Sequence, residues 1–393
     1  MMANNLINTT SQIKLSANAV RKNVQFVKKQ LQSGTQLSAV VKGNAYGHGI
    51  EQMVPLFEEN GVNHFAVFSS KEAEQVWQVG KPRSEIMIMG WLADNDLEWA
   101  IEQKISFFIF EKDRLEKAIK IAKRKSIKAK IHIELETGMN RTGIEVQLIP
   151  DVIALILKNL NFLDLSGICT HYAGAESADN LPRIQHQIQR FNKYLEMFKR
   201  ENLNPTYVHS ACSAASLTYP ETQSNMVRAG IMLYGFWPNE ETYVLHQQQH
   251  NGSGKLKDNS LQMVMKWTSK IMSVKKVPAG DFIGYGSSFR AKQDMVVANV
   301  PVGYAYGYSR ALSNTGQAIV KGSKVAIIGT INMNSFMIDV SELNDVATGD
   351  EVIIIGVSGE ERISVASFSE SNNQLNYELL SRLPYDIPRD IFY

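Results

Sequence analysis

Residues 38–49, SAVVKGNAYGHG, end a short apolar strand on Lys42 and run straight into a glycine-rich turn, with Tyr46 four residues on. Lysine is a poor occupant of a strand end that must be partly buried, because desolvation disfavours its charge. The same desolvation lowers its pKa, and a neutral amine can form a Schiff base with an aldehyde. A lysine that snorkels to water past a strand end would give the same local pattern. Other chemically useful side chains are scattered along the chain. Glu134, Glu136 and Arg141 lie in ELETGMNRTG, His171 in GICTHY and Ser213 in HSACSAAS. Arg228 and Gly230 lie in NMVRAGIMLYG, and Tyr285 in FIGYGSSF. A packed core histidine is the plain alternative for His171, and a surface ion pair the alternative for Arg228, although its apolar neighbours argue against that.

Such groups act together only if the fold gathers them. The first ~235 residues alternate apolar runs with amphipathic stretches, as α/β folds do. Strands are expected at 37–41, 64–68, 86–90, 106–109, 130–135, 165–170, 207–210 and 227–233. Helices are expected at 17–32, 71–78, 113–124, 146–159 and 182–201. Eight strands separated by helices predict a (β/α)₈ TIM-type barrel, and merging two weak strands would give a doubly wound sheet instead. In a barrel, functional residues follow the strands at the C-terminal face. Lys42, Glu134, Arg141, His171, Ser213 and Arg228 all meet that demand.

The character changes after residue 242. Residues 243–260 carry HQQQHNGSG and read as a polar linker or insertion, whose two histidines are a weak basis for a metal site. From 261 to 393 strand-like runs dominate, at 261–274, 295–301, 317–319, 324–329, 336–340 and 351–356, giving a mostly-β C-terminal domain. The expected domains are therefore 1–242, a linker at 243–260, and 261–393.

Composition narrows the function classes. Hydrophobic residues make up 44% and charged residues 20% of 393, ordinary for a globular enzyme. A net charge of +2 argues for neither nucleic acid nor an anionic membrane as partner. The apolar runs are too short and too interrupted to span a bilayer. Residues 1–10 show no secretory signal, and Cys169 and Cys212 make no disulfide framework, so a cytoplasmic location is expected.

Taken together, these segments resemble the alanine racemase family from residue 17 to the end. The resemblance implies pyridoxal 5'-phosphate held by Lys42, with Tyr46, Ser213, Gly230, Ile231 and Tyr385 on its phosphate. His171 would lie against the pyridine ring and Arg228 beside the ring nitrogen. A guanidinium keeps its proton, so Arg228 would leave the ring a weak electron sink and suppress side reactions such as transamination. Tyr285 would be the second base, opposite Lys42, because racemisation needs proton-transfer groups on both faces of a planar centre. The resemblance also implies a homodimer with shared sites. Tyr285, Tyr304 and Met333 would come from the partner, and Arg141, Tyr304 and Met333 would contact the amino-acid substrate. For Tyr304 alone, hairpin chemistry explains the glycine–tyrosine turn about as well.

The chain also departs from the family's usual pattern. Glu134 stands where many members carry a carbamylated lysine, and its carboxylate could orient Arg141 without bicarbonate. Glu136, Cys212, Tyr306, Asn334 and Asp386 are further departures. They leave Lys42, Arg228 and Tyr285 in place but bear on substrate identity. The leading expectation is racemisation of L-alanine to D-alanine for peptidoglycan supply by a Lys/Tyr pair, with no metal. A broad-specificity racemase acting on serine, lysine or arginine is the near alternative. A basic-amino-acid decarboxylase would need a cysteine in the C-terminal domain, where this chain has none. A non-catalytic cofactor-binding barrel would lack the second domain.

Overall fold

The computed structural model describes residues 10–250, 261–365 and 376–393. The chain opens with a short strand, β1 (Gln12–Ser16), and then builds a parallel sheet. Its strands are β2 (Gln36–Val40), β3 (His64–Val67), β4 (Glu85–Ile88), β5 (Ser106–Ile109), β6 (Ala129–Glu134), β7 (Leu163–Cys169), β8 (Tyr207–His209) and β9 (Met226–Ala229). Neighbours pair in sequence order from β2 to β8, and β9 pairs with β2. The Cys212–Arg228 bridge and the Arg228 amide, which donates to the Ala211 carbonyl at 3.1 Å, bring the last gap nearly to closure. This is the expected (β/α)₈ barrel. All eight expected strands are present, with ends shifted by a few residues.

These strands are legible because a parallel barrel strand is covered on both faces and so reads as a near-continuous apolar run. Every residue of β3 and of β5 is buried. Helices Ala17–Gln30, Ile50–Glu59, Ser70–Val79, Asp94–Glu102, Lys112–Lys125, Ile149–Lys158 and Leu181–Arg200 connect them. The start of Ser70–Val79 is fixed by a capping box: Ser69 Oγ accepts from the Glu72 amide, and the Glu72 carboxylate accepts from the Ser69 amide.

The remaining strands are β10 (Met265–Lys270), β11 (Ser273–Val277), β12 (Met295–Val300), β13 (Gln317–Val320), β14 (Ser323–Ile328), β15 (Phe336–Asp339), β16 (Glu351–Ser358), β17 (Glu361–Ile363) and β18 (Arg389–Phe392). They form a mostly antiparallel sheet in the order β11-β12-β15-β14-β13-β16-β10-β1-β18, with β17 on β16. The single run expected at 261–274 is two strands.

The domain boundaries differ from those expected. By contacts, one unit comprises residues 20–42 and 53–262, and the other residues 1–19, 43–52 and 263–393. β1 goes with the C-terminal sheet because it pairs there with β10 antiparallel and with β18 parallel. Residues 43–52 go with it because Arg389 Nε donates to the Gly47 carbonyl at 3.0 Å. A Cβ on Gly47 would lie 2.0 Å from the Leu380 carbonyl oxygen. The expected linker also begins as a helix, Glu240–His250, whose Thr242, His246 and Gln247 are buried and whose His246 ring packs on Phe26 and Trp237. The rest of the linker, 251–260, and residues 1–9 lie outside the described residues. No helix among those described is long and apolar enough to cross a membrane.

Candidate active site

The barrel collects at the C-terminal ends of its strands most of the side chains singled out from sequence. Lys42 follows β2, Glu134 ends β6, His171 follows β7, Ser213 follows β8 and Arg228 lies on β9. The turn that leaves Lys42 is left-handed over Gly43, Asn44, Ala45 and Tyr46, with φ between 51° and 63°. Three consecutive non-glycine residues in that region are strained, since Cβ crowds the following carbonyl. Hydrogen bonds hold the turn closed: the Gly47 amide donates to Gly43 and the Gly49 amide to Asn44, both at 2.9 Å, and Asn44 Oδ1 caps the Ile50 amide.

The Lys42 side chain is open to water, but the protein crowded around it lowers its pKa. Desolvation is the main cause. Arg141 and Arg228 push the same way, opposed by Glu72 and Cys212. Glu134 is buried, and desolvation raises its pKa against the pull of Thr142, Arg228 and Arg141. Its Oε2 is buried without a hydrogen-bond partner. The next acid, Glu136, shapes the loop instead, its carboxylate capping the Gly138 and Asn140 amides. Glu134, Arg141, Thr170 and His171 line one small recess.

His171 is driven to about 3 by desolvation, helped by Arg228, Arg141 and Lys42, so its ring is neutral. Its backbone is anchored by Gln187 Nε2, which donates to the His171 carbonyl at 3.0 Å, while Gln187 Oε1 accepts from the Ala173 amide at 2.9 Å. Ser213 Oγ accepts from the Gly230 amide at 2.9 Å, tying the turn after β8 to the turn after β9.

Arg228 is buried, and both terminal nitrogens of its fork donate to the protein. It donates to the carbonyls of Thr170 at 2.8 Å, His209 at 3.0 Å and Ser210 at 3.4 Å, and to His209 Nδ1. Behind it, His209 Nε2 meets His132 Nδ1 at 2.8 Å. Because Nδ1 of His209 accepts from a guanidinium, its proton sits on Nε2 and points at His132. Burial holds both histidines well below the ordinary value, so the pair is neutral. Room for it comes from Gly167 on β7, where a Cβ would lie 2.0 Å from His132 Nδ1. His132, His209, Gln187 and Gly167 were not identified from sequence. Each reads there as an ordinary strand or helix residue, and only the closed barrel brings them together.

The C-terminal unit carries the other candidates on its surface. Tyr285 sits between Gly284 and Gly286, both at positive φ, at the tip of a turn closed by the Ile283 amide on the Phe289 carbonyl at 3.0 Å. It is 73% exposed. Tyr304 and Met333 are set side by side, because the amides of Tyr304 and Ala305 donate to the carbonyls of Asn332 and Met333 at 3.0 and 2.9 Å. Only a glycine fits at 303, where a Cβ would lie 2.2 Å from the Asn332 oxygen. Tyr385 is also exposed. No cluster of metal-ligating side chains occurs among the described residues.

Arg141 and Arg228 thus both act on the buried Glu134 carboxylate, whose Oε2 has no hydrogen-bond partner, and together with Lys42 they act on the neutral ring of His171. That donor set suits an anionic, phosphorylated aldehyde and a substrate carboxylate. Residues 15–238 match the family description "Alanine racemase, N-terminal domain", and residues 264–391 match "Alanine racemase, C-terminal domain". Alanine racemase 1 of Caldanaerobacter subterraneus subsp. tengcongensis is 31% identical over 384 residues, covering 98% of this chain and 95% of that one. The structure of alanine racemase from D-cycloserine-producing Streptomyces lavendulae superposes with a TM-score of 0.90 at 27% identity, covering 98% of each chain. Alanine racemase of Bartonella henselae, solved with covalently bound pyridoxal phosphate, gives 0.81 at 25% identity, over 98% of this chain and 100% of that one.

Proposed function

Because this chain belongs to the alanine racemase family, we propose that it interconverts L- and D-alanine with pyridoxal 5'-phosphate by a two-base mechanism, supplying D-alanine for peptidoglycan. The observation that carries this reading is Lys42, its pKa lowered by desolvation and by Arg141 and Arg228. Lys42 would hold the cofactor through its amine, with Tyr46, Ser213, Gly230, Ile231 and Tyr385 at the phosphate, His171 at the ring face and Arg228 at the ring nitrogen. When bound, the cofactor supplies a conjugated electron sink that acidifies the substrate's α-proton.

The rest is done by the chain itself. A lowered pKa leaves a larger share of Lys42 Nζ neutral near pH 7, ready to take a proton on one face. The Tyr285 hydroxyl works on the opposite face, and whichever group starts protonated returns the proton. Arg228, clamped by three carbonyls and His209, presents N–H groups but no proton it can give up. Arg141 holds the substrate carboxylate and Glu134 orients Arg141. Tyr304 and Met333 narrow the entrance to a small side chain.

In this reading the enzyme works in the cytoplasm as a homodimer, and Tyr285 serves the partner's barrel. The exposed turn tip that carries Tyr285 supports this, since a proton-transfer group left in bulk water would be idle. Mixing Lys42→Ala with Tyr285→Phe tests the sharing. Random reassortment gives half mixed dimers with one intact site each, so about a quarter of normal activity should return. No recovery would place Tyr285 in its own chain's site.

The reaction itself is tested by α-deuterium wash-in in D₂O, with chiral analysis, on L- and D-alanine, serine, lysine and arginine. Exchange with inversion confined to alanine supports a dedicated alanine racemase. Several active substrates would move the assignment to a broad-specificity enzyme, and no exchange with any of them would refute racemisation.

A further inference from the structure

The opposite end of the barrel holds a second cavity that racemisation does not use. It is an open cleft of about 690 Å³ at the N-terminal ends of β4, β5 and β6, the face away from Lys42. Its wall combines four cations, Lys81, Arg83, Lys104 and Lys130, with a single carboxylate, Glu85. Glu85 already accepts from the Tyr207 hydroxyl at 3.2 Å, and none of the four cations forms an ion pair among the described residues. Several unneutralised cations lining one recess set up a positive field that concentrates anions. Elsewhere this chain pairs exposed lysines readily, as with Lys112 on Asp151 and Lys125 on both Glu98 and Glu102.

The basic segment is also built to hold its shape. Glu58 Oε1, on a buried carboxylate, accepts from the Lys81 amide at 2.7 Å and from Ser84 Oγ at 2.5 Å, fixing the turn that carries Lys81 and Arg83. Across the cleft Lys104 sits at φ +58°, a left-handed position closing the helix Asp94–Glu102. Trp77, 51% exposed at the end of helix Ser70–Val79, adds a bare aromatic face to the same wall. A large indole left half in water beside cations suits a ligand that is flat and apolar at one end and multiply anionic at the other.

We propose that this cleft binds a nucleoside polyphosphate, with the base on Trp77 and the phosphates on Lys81, Arg83, Lys104 and Lys130. Calorimetric titration of the holoenzyme with ATP, AMP and inorganic tripolyphosphate, alongside tryptophan fluorescence, tests it. ATP should bind saturably and quench fluorescence, AMP and tripolyphosphate should bind more weakly, and rising salt should weaken all three. Each of Lys81→Glu, Arg83→Glu and Lys104→Glu should weaken ATP binding about tenfold or more, with racemase activity and melting temperature unchanged. Trp77→Leu should bring ATP affinity down to that of tripolyphosphate. No saturable ATP binding, or binding indifferent to the charge reversals, would overturn the proposal. Tripolyphosphate binding as tightly as ATP to the unmodified protein would overturn the nucleoside assignment.

Discussion

The contact between His209 and Arg228 offers the sharpest test of how the site is held. In His209→Leu the buried guanidinium loses one acceptor but keeps the carbonyls of His209, Thr170 and Ser210. Hydrogen bonds to charged groups contribute roughly 1.5–3 kcal/mol net. His132 simultaneously loses its 2.8 Å partner, a neutral bond of roughly 1 kcal/mol. The expected loss of unfolding free energy is therefore about 2–4 kcal/mol, read as a shift in urea midpoint at unchanged slope. His209→Asn places an amide oxygen near where Nδ1 lies, so it should keep the Arg228 contact and lose only the His132 one. Racemisation should then fall about tenfold or more in the leucine variant and much less in the asparagine variant. The readout that separates positioning from mere destabilisation is kcat well below the urea transition, where both variants are folded. Equal kcat in the leucine and asparagine variants, or wild-type stability in the leucine variant, would refute the idea that His209 holds Arg228.

Four further outcomes follow from the same geometry. Tyr285→Phe should retain cofactor absorbance and lose most racemisation, and a wild-type rate would remove Tyr285 from the proton-transfer pair. Glu134→Gln should leave stability within about 1 kcal/mol, because burial already disfavours the Glu134 charge, while raising KM for alanine through a looser Arg141. An unchanged KM would mean that Glu134 does not orient Arg141. Gly167→Ala should cost about 1–3 kcal/mol by pushing its methyl into His132, measurable by urea denaturation. The fourth concerns acid. His48 is held at about 4, His64 at about 3, and His132 and His209 well below the ordinary 6.5, all by burial. Below pH 6.5 the unfolded chain binds protons that the folded one refuses. Stability should be full above that pH and fall on acidification by about 1.4 kcal/mol per pH unit for each such histidine. A urea midpoint flat from pH 7.5 to 5 would contradict this.

The barrel was readable because its strands are short, apolar on both faces and separated by helices of clear amphipathic period. What escaped reading was set by distant partners. β1 is only five residues, QIKLS, and becomes a strand because β10 and β18 flank it. The 261–274 run divides because the chain turns at Ile271 and Met272, where hydrophobicity shows no break. Helix Glu240–His250 is rich in Gln and His, without the apolar stripe that marks a helix, so its composition read as linker. In the site, the lone residues at strand ends were visible as Lys42, His171 and Arg228. The histidines behind Arg228 were hidden because a polar residue inside a strand signals nothing until a neighbouring strand supplies its partner.

The interleaving of the two units bears on how the polypeptide can be made and cut. A fragment ending near residue 242 would carry β1 and the turn after Lys42 without the strands and carbonyls that hold them, leaving apolar Ile13 and Leu15 uncovered. A fragment starting near 261 would expose the flanks of β10 and β18 that β1 normally covers, and bare strand edges invite aggregation. On the ribosome, β1 must wait for β10 and β18, which emerge some 250 residues or more later, since it pairs with both and its Ile13 amide donates to the Pro388 carbonyl at 2.9 Å. Separate expression of the two halves should therefore fail, and complementation between them should require β1 to be appended to the C-terminal piece.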